Sequence, residues 1–274
     1  MGRTARTVAI AALTGLGACG GAVPGAAADA PRGSAAPEPS GAPPPPDALS
    51  SQGPPPPAAL SFQDVPASRP SAEVLRRPTL RPGDSGRWVD TLQSRLARLG
   101  YWLGAADGRF GPLTVQAVHA LQKAAGLGRD GVVGPGTWDA LERGARPDAR
   151  GAHGRRVEVS LDRQLLMLVE DGQVKRILNT STGSGAPYRV DGVREEAVTP
   201  PGVYRVHRRV DGWDSGPTGD LYRPAYFNGG IAVHGYGSVP PRPASHGCVR
   251  VSPAAMDSLW RSGWLDHGDV VQVY

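Results

Sequence analysis

The segment from Pro31 to Pro82 is dominated by proline, alanine, serine and glycine, with few large apolar side chains. It includes two uninterrupted proline runs, Pro43 to Pro46 and Pro54 to Pro57. A chain of this composition cannot bury enough apolar surface to offset the entropy of folding, and its prolines favour extended geometry. We therefore expect residues 31–82 to be a disordered linker, which leaves the rest of a 274-residue chain to fold.

The first thirty residues have the character of an export signal. Arg3 and Arg6 precede an apolar stretch from Val8 to Leu16. This stretch is too short for a permanent membrane span and matches the apolar core of a secretory leader. We expect residues 1–30 to be a leader and the protein to be exported to the cell envelope.

Two processing sites in this leader predict different attachments. Residues Leu16 to Cys19 resemble a bacterial lipobox, which implies cleavage before Cys19 and lipid on its sulfur, anchoring the protein on the outer face of the membrane. Residues Ala28 to Ala30 form an ordinary small-residue cleavage site, whose use would discard Cys19. A cysteine beside a short apolar run favours the lipid anchor, and ordinary secretion to the wall is the alternative.

Cysteine usage and charge limit the possible functions. The chain has two cysteines, Cys19 and Cys248, and neither processing route leaves an internal disulfide. Exported proteins normally pair their cysteines or lack them, so an unpaired Cys248 indicates a chemical role for its thiol. The net charge of +5 comes from scattered basic residues, which disfavours a nucleic-acid partner.

Residues 83–145 have helical periodicity. Apolar residues recur every three or four positions in two stripes, each of which marks one face of a helix. The stripes are Val89, Leu92, Leu96 and Leu99, ended by Gly100, and Val115, Val118 and Leu121.

A short motif occurs twice in the same region. Asp107, Gly108, Gly111, Pro112 and Thr114 return as Asp130, Gly131, Gly134, Pro135 and Thr137. Glycine permits a left-handed turn, aspartate accepts hydrogen bonds from nearby backbone amides, and proline suits the first turn of a helix. Each copy should therefore open a helix, which predicts a small three-helix domain.

After a short Arg/Gly-rich linker at 145–154 the period changes to that of strands. Val157, Val159 and Leu161 alternate with polar residues, and Asp171–Gly172 is a strong hairpin signal. Residues Thr199 to Gly202 form a turn into another strand.

The remaining pattern of this region is also mostly β. Residues 270–274 predict a closing strand, and a single helix is expected at 253–260. The fold class is therefore α+β with two domains, helical at 83–145 and mostly β at 155–274. Residues 207–230 are too irregular for core strands, which leaves a lid over a cleft or an ordinary surface loop as interpretations.

A thiol and two imidazoles lie close together in the segment Ile231 to Ser252, which reads IAVHGYGSVPPRPASHGCVRVS. A cysteine attacks an amide as its thiolate and so needs a base nearby, for which histidine titrates in a suitable range. His246 is two residues from Cys248, so in an extended chain its ring would lie parallel to the thiol. His234 comes from a neighbouring strand and is the better base. Gly247 permits a close approach of backbone amides to a substrate carbonyl, as an oxyanion hole requires.

The two folded regions resemble known domains. The first resembles a three-helix peptidoglycan-binding domain along GDSGRWVDTLQSRLARLGYW, DGRFGPLTVQAVHALQ and DGVVGPGTW. The second resembles the L,D-transpeptidase catalytic domain, whose signature is His-Gly followed by Ser-His-Gly-Cys-x-Arg, in LDRQLLMLVEDGQVKRILNTSTG, TPPGVYRV, His234–Gly235 and Ser245 to Arg250. A helical spacer that binds nothing is the alternative for the first region.

The resemblance assigns a role to each residue of the motif. It implies that Cys248 is the nucleophile, that His234 is the proton acceptor and donor, and that the Gly235 carbonyl orients the imidazole. His246 and Gly247 would contribute to the oxyanion environment with Cys248. The residues expected on the substrate side are Ser245, Arg250, Tyr236 and Tyr226. Many family members have Asn where this chain has Pro253, which suits a helix start.

The implied reaction joins two peptidoglycan stem peptides. Cys248 would release D-Ala from a tetrapeptide and form a thioester, and the amine of a second stem would then give a 3,3 cross-link. The resemblance also implies acylation by carbapenems and no need for a metal or organic cofactor. The alternatives are an L,D-carboxypeptidase, a non-catalytic wall-binding lipoprotein, and a zinc enzyme with His234, His246 and Cys248 as ligands.

Overall fold

The computed structural model describes residues 77–274. The predicted leader with Cys19 and almost all of the predicted linker lie outside these residues. The described part contains four helices: α1 (Arg87–Arg98), α2 (Pro112–Ala124), α3 (Pro135–Glu142) and α4 (Pro253–Arg261). Its strands are β1 (Arg155–Ser160), β2 (Leu165–Glu170), β3 (Gln173–Asn179), β4 (Pro187–Val190), β5 (Val193–Glu196), β6 (Gly202–Arg205), β7 (Arg208–Arg209), β8 (Trp213–Gly216), β9 (Gly219–Asn228), β10 (Ile231–Gly235), β11 (Val249–Val251) and β12 (Val270–Val273). No helix within residues 77–274 has the length and apolar character of a membrane span.

The duplicated motif builds the same hydrogen-bonded loop twice in the helical domain. Buried Gln93 donates to Asp107 Oδ1 and Thr114 Oγ1, both at 2.9 Å. Buried Gln122 donates in the same way to Asp130 Oδ1 at 2.7 Å and Thr137 Oγ1 at 3.4 Å. In both copies a proline occupies the first turn of the following helix, as predicted. The two glutamines lie outside the repeated motif and were not predicted.

The predicted disordered linker extends too far toward the carboxyl end. Leu80 is buried and forms a β-bridge with Val133, and Trp138 Nε1 donates to Pro78 O at 2.9 Å. Residues 77–82 are therefore part of the helical domain. The composition did not reveal this, because one large apolar side chain among the prolines, that of Leu80, is sufficient to fix the segment in the core.

The first sheet of the catalytic domain has the strand order β3-β2-β1-β12-β6. Strands β2 and β3 form the predicted hairpin, with Asp171 and Gly172 at φ values of 47° and 73°, as a two-residue turn of the favoured hand requires. The closing strand β12 is confirmed and pairs with β1 in parallel.

The second sheet corrects one prediction. Its order is β11-β10-β9-β7, with β8 paired to the free part of β9. Residues 207–230 were expected to be too irregular for core strands, but they contain β7, β8 and the ten-residue strand β9. Glycines at the turns obscured the alternation, whereas Ala225 and Phe227 of β9 are buried in the core.

The core of the catalytic domain lies between the two sheets and α4. Val157, Val233, Val251 and Met256 are each fully buried there. Helix α4 begins at Pro253, and the hydroxyl of Ser252 caps it by accepting from Ala255 N at 3.2 Å. Pro253 thus starts the helix as expected, and α4 holds the inner face of β10 and β9 in place.

The helical domain and the catalytic domain share a hydrophobic cluster. Leu121 and Tyr101 of the helical domain pack in one cluster with Met167 and Ile177 of β2 and β3. Trp102 N donates to Ile177 O at 3.0 Å, so the backbones are also joined. The two domains therefore form one packed body, which the linker at 145–154 did not suggest.

A buried lysine lies at this junction. Lys123 of α2 is 3% exposed. Its ammonium donates to Gln164 O at 2.8 Å, to Thr180 O at 2.9 Å and to Asn179 Oδ1. Burial, with a smaller contribution from Arg129, lowers the pKa of Lys123 to about 6. Lys123 therefore ties α2 to the end of β3.

We predict that Lys123→Met changes how stability depends on pH. The folded pKa lies below the ordinary value of about 10.4, so between these values the unfolded chain holds a proton that the folded chain has released. The free energy of unfolding of the wild type should rise with pH from 6 to 9, relative to the variant, by on the order of 1 kcal/mol per pH unit. Urea unfolding at several pH values measures this difference, and a constant difference would contradict the prediction.

Candidate active site

The site is built by the parallel pairing of β10 and β11. Val233 pairs with Val249 and His234 pairs with Arg250. The two valines face the core, so His234 and Arg250 project from the opposite face. Cys248 precedes Arg250 by two positions and projects to the same side. The register therefore makes the imidazole and the thiol diagonal neighbours.

His234 is fixed by its own strand. The residue is 1% exposed, and its Nδ1 is 2.9 Å from the carbonyl oxygen of Gly235. A carbonyl only accepts, so Nδ1 carries the proton and Nε2 is left as the acceptor. The ring of Tyr236 lies edge-on to the imidazole with centroids 5.8 Å apart. His234 therefore has the tautomer that a general base needs.

Gly235 and Cys248 are placed by close contacts. A Cβ atom on Gly235 would lie 2.8 Å from Tyr222 Cδ1 and 3.1 Å from the Cα atom of Pro253, so the strand requires glycine there. Cys248 is partly exposed, and its sulfur lies 3.8 Å from Gly230 O. Within residues 77–274 no hydrogen bond joins this sulfur to the His234 ring, so the thiol must turn from Gly230 O to meet Nε2.

The electrostatics of the free protein favour two neutral groups. Burial raises the pKa of the Cys248 thiol, and the Ala232 amide and Arg250 only partly oppose this effect. Burial lowers the pKa of His234 to about 4; the Gly235 carbonyl opposes the shift and Arg250 adds to it. At neutral pH the site therefore holds a thiol and an imidazole rather than an ion pair, and proton transfer must accompany attack on a substrate.

The Ser245–Cys248 loop is closed by its own hydroxyl. Ser245 is 1% exposed, accepts from Gly247 N at 3.1 Å and donates to Cys248 O at 2.5 Å. Thr199 Oγ1 donates to Gly247 O at 2.6 Å from the opposite side. Thr199 was predicted only as part of a turn, and its contact with the nucleophile loop was missed. Both hydroxyls hold this loop in shape.

Two amides of this loop, those of His246 and Cys248, are available to a substrate oxygen. The Gly247 N–H is already bound to Ser245, whereas the His246 and Cys248 N–H groups donate to no group within the described part of the chain. The arrangement therefore offers the Cys248 amide, next to the sulfur, to a developing negative charge.

The predicted substrate-side residues occupy different positions. The Tyr226 hydroxyl donates to Asp214 at 2.7 Å and its ring lies under Arg208, so it is buried and engaged. Arg250 donates to Ala244 O at 3.0 Å and lies 4.1 Å above the ring of Tyr236. Tyr236 and Arg250 are partly exposed at the site, whereas Ser245 and Tyr226 support it from within.

His246 is exposed and contacts an element that was not predicted from the sequence. Its ring lies 4.7 Å from the ring of Tyr188, which belongs to the hairpin β4–β5. The signal for this hairpin was present: Asp191–Gly192, at φ values of 49° and 79°, is the same turn pair as in β2–β3. The hairpin therefore lies beside His246, two residues before Cys248.

Comparison with known proteins agrees with this geometry. The family model for the L,D-transpeptidase catalytic domain matches residues 154–273, and that for a putative peptidoglycan binding domain matches residues 85–141. A crystal structure of the L,D-transpeptidase from Xylanimonas cellulosilytica DSM 15894 is 51% identical, with a TM-score of 0.70, over 71% of this chain and 97% of that one. The chain belongs to the L,D-transpeptidase family.

Similar proteins of other kinds share only a short stretch with this family member. The N-acetylmuramoyl-L-alanine amidase CwlL of Bacillus licheniformis is 42% identical over 85 residues, 30% of this chain and 24% of that protein. The zinc D-Ala-D-Ala carboxypeptidase of Streptomyces albus G is 46% identical over 67 residues, 23% of this chain and 26% of that protein. The chain thus spans about a quarter of each. Within residues 77–274 no three His, Cys, Asp or Glu side chains are arranged to hold a metal ion.

We predict that Gly247→Ala destabilises the transpeptidase domain. Gly247 has a φ of 139°, and a Cβ atom there would lie 2.8 Å from Val198 O. The strained backbone should lower the free energy of unfolding by about 2 kcal/mol. Gly237→Ala is the matched control, because nothing lies within 4 Å of its Cβ position. Equal urea-unfolding curves for the two variants would show that the loop relaxes freely.

We also predict that the rate of Cys248 alkylation by iodoacetamide does not level off near neutral pH, whereas the rate for a preformed thiolate would. Burial raises the thiol pKa. The alkylation rate of the folded protein should therefore still rise at pH values where the alkylation rate of the urea-unfolded chain no longer changes. A Cys19→Ala background removes the second thiol. A plateau near neutral pH in the folded protein would instead reveal a thiolate–imidazolium pair.

Proposed function

We propose that this protein cross-links peptidoglycan stem peptides as an L,D-transpeptidase, through a thioester on Cys248. The observation that carries the proposal is the β10–β11 register, which pairs His234 with Arg250, the residue two positions after Cys248. The Gly235 carbonyl leaves His234 Nε2 free to accept a proton. Membership of the L,D-transpeptidase family supports the choice of substrate.

The first half-reaction forms the acyl-enzyme. The Cys248 sulfur attacks the carbonyl of the third stem residue, a diamino acid, while His234 Nε2 takes the thiol proton. The carbonyl oxygen becomes an oxyanion beside the Cys248 amide. The carbon–nitrogen bond to the terminal D-Ala then breaks, and His234 returns the proton to the departing amine. The product is a thioester between Cys248 and the tripeptide stem.

The second half-reaction transfers the acyl group. The side-chain amine of a diamino acid in a second stem attacks the thioester and gives up a proton to His234. The carbon–sulfur bond breaks, and the sulfur regains that proton. The new amide is a 3,3 cross-link. Water in place of the amine would give the tripeptide, which is the product of an L,D-carboxypeptidase.

The two neutral groups fit this order of events. A buried imidazole with a pKa of about 4 is unprotonated at wall pH and ready to accept a proton. A substrate that covers the partly exposed sulfur would strengthen the interaction of the developing imidazolium with the Gly235 carbonyl. The same thiol would attack the strained amide of a carbapenem, which leaves a covalent adduct on Cys248.

The remaining predictions place this reaction at the wall. The helical domain would bind peptidoglycan glycan and stems, and the leader would export the protein, with a lipid on Cys19 or by ordinary secretion. The extended linker would then give a lipid-anchored enzyme the reach to find its substrate, at about 3 Å per residue. His246 beside Tyr188 would border the cleft rather than act as the base.

We predict that the mature protein converts disaccharide tetrapeptide into a dimer lacking one D-Ala. Cys248→Ala should abolish the reaction, because Cys248 supplies the only thiol within residues 77–274. His234→Gln should slow it by about 1,000-fold by removing the proton acceptor. Mass spectrometry of the muropeptides distinguishes dimer from tripeptide.

Controls separate transpeptidation from a zinc-dependent reaction, from simple wall binding and from hydrolysis. A zinc enzyme would lose turnover with a chelator and keep it after thiol alkylation, the reverse of the expected result. A non-catalytic wall-binding lipoprotein would release no D-Ala and would carry no carbapenem adduct by intact mass. If tripeptide forms without dimer at high acceptor concentration, the function is hydrolysis and not transpeptidation.

A further inference from the structure

The segment that joins the base to the nucleophile is held by the helical domain. Residues 236–244, here called the connecting loop, run from the end of β10 to the Ser245–Cys248 loop. Tyr236 N donates to Val251 O at 2.8 Å and Ala244 N donates to Thr182 O at 3.0 Å, so the catalytic domain holds both ends. The middle of the connecting loop is bound by both domains, and from the catalytic domain Ser181 Oγ donates to Arg242 O at 2.8 Å.

Two side chains of the helical domain bind the middle of the connecting loop directly. Gln116 Nε2 donates to Val239 O at 3.3 Å. Arg129 Nη1 donates to Pro241 O at 3.0 Å, and its other terminal nitrogen donates to Asp162 O at 3.3 Å. Val239 itself is buried. The helical domain therefore contacts the connecting loop on either side of Pro240.

A third side chain acts through the catalytic domain. Lys123 donates to Asn179 Oδ1, and the carbonyl of Val239 on the other side of this amide can only accept. The amide of Asn179 is therefore oriented with its nitrogen toward the connecting loop, where Nδ2 donates to Val239 O at 3.0 Å and to Gln116 Oε1 at 2.6 Å. Lys123 and Gln116 thus fix the same carbonyl from two directions.

The strand beside the nucleophile is tied to the same junction. Lys123 also donates to Thr180 O, and the Thr180 hydroxyl donates to Arg250 O at 2.7 Å. Arg250 in turn lies two residues after Cys248 and donates to Ala244 O at the end of the connecting loop. The contacts of the helical domain thus reach both sides of the Ser245–Cys248 loop.

We propose that Gln116, Lys123 and Arg129 of the helical domain are positioning residues for transpeptidation, because they hold the connecting loop that sets the Cys248 sulfur against His234. This inference rests on the proposed function. Within the described residues no hydrogen bond joins Cys248 to His234, so the position of the Ser245–Cys248 loop, which follows the connecting loop, affects whether the thiol can turn to meet Nε2. The peptidoglycan-binding domain is then part of the catalytic unit and not only a wall anchor.

The test compares Gln116→Ala, Arg129→Ala and the double variant with wild type in the mature chain. The matched control is Arg143→Ala, since Arg143 is exposed on the same domain and its side chain makes no hydrogen bond or ion pair within the described residues. Acylation of Cys248 by a carbapenem, followed by intact mass, gives the rate of the first chemical step. Hydrogen–deuterium exchange of residues 236–244 reports the loop, and thermal melting reports the fold.

We expect the double variant to acylate at least about tenfold more slowly, with faster exchange in the connecting loop and an unchanged KM for tetrapeptide. Arg129→Lys, which keeps one donor, should recover part of the rate, and Arg143→Ala should match wild type. If the double variant unfolds below the assay temperature, the acylation rates and the exchange of the connecting loop in the single variants test the inference instead.

Two outcomes would overturn the inference in distinguishable ways. A double variant that acylates within twofold of a reactive wild type would remove the positioning role and leave the proposed function intact. A wild type that neither acylates nor releases D-Ala, with Cys248→Ala indistinguishable from it, would remove the proposed function and the inference together.

Discussion

The parallel pairing of β10 with β11 is the constraint on which the rest of the site depends. Strand side chains alternate between faces, so a shift of one residue would send Val233 to the surface and His234 into the core. The core valines therefore select the register, and the register brings the thiol and imidazole to the same face. The geometry of the candidate site is thus fixed by the burial of Val233 and Val249, which take no part in the chemistry.

The raised pKa of the Cys248 thiol also affects how readily this residue is oxidised. Oxidants react with the thiolate, so a cysteine whose pKa is raised by burial is slow to oxidise. The partly exposed sulfur of Cys248, which has no disulfide partner within residues 77–274, can thus persist as a thiol. In the proposed mechanism the thiol becomes reactive only when a bound carbonyl and the His234 ring are both in place, which would restrict it to its own substrate.

Much of the fold was predictable where a local pattern carried the information. The apolar stripe of α1, the Asp171–Gly172 turn, the strand β12 and the start of α4 at Pro253 all follow from neighbouring residues. The strand β9 was missed because glycines at its turns and polar residues at its exposed end hid the alternation. Leu80 was missed because burial of a single side chain depends on Val133, which is distant in sequence.

The sequence motif identified the candidate catalytic residues of the site but not the residues that hold them in place. Cys248, His234 and Gly235 were recognisable because their residue types limit what they can do. Thr199, Tyr188 and Lys123 act through contacts made only in the folded chain. Ser245 and Tyr226 were expected on the substrate side, but both are buried. The sequence does not show which way a hydroxyl points. The hydrogen bonds across the domain junction could not be predicted from the sequence either.

The position of β12 governs when the catalytic domain can take shape. This strand lies between β1 and β6, so the strand nearest the carboxyl end completes the middle of the first sheet. Until it is in place, β6 has no partner in this sheet and β1 is an edge strand, so both have unpaired backbone groups. The first sheet therefore cannot form in full until residues 270–273, at the far end of the domain, have been synthesised.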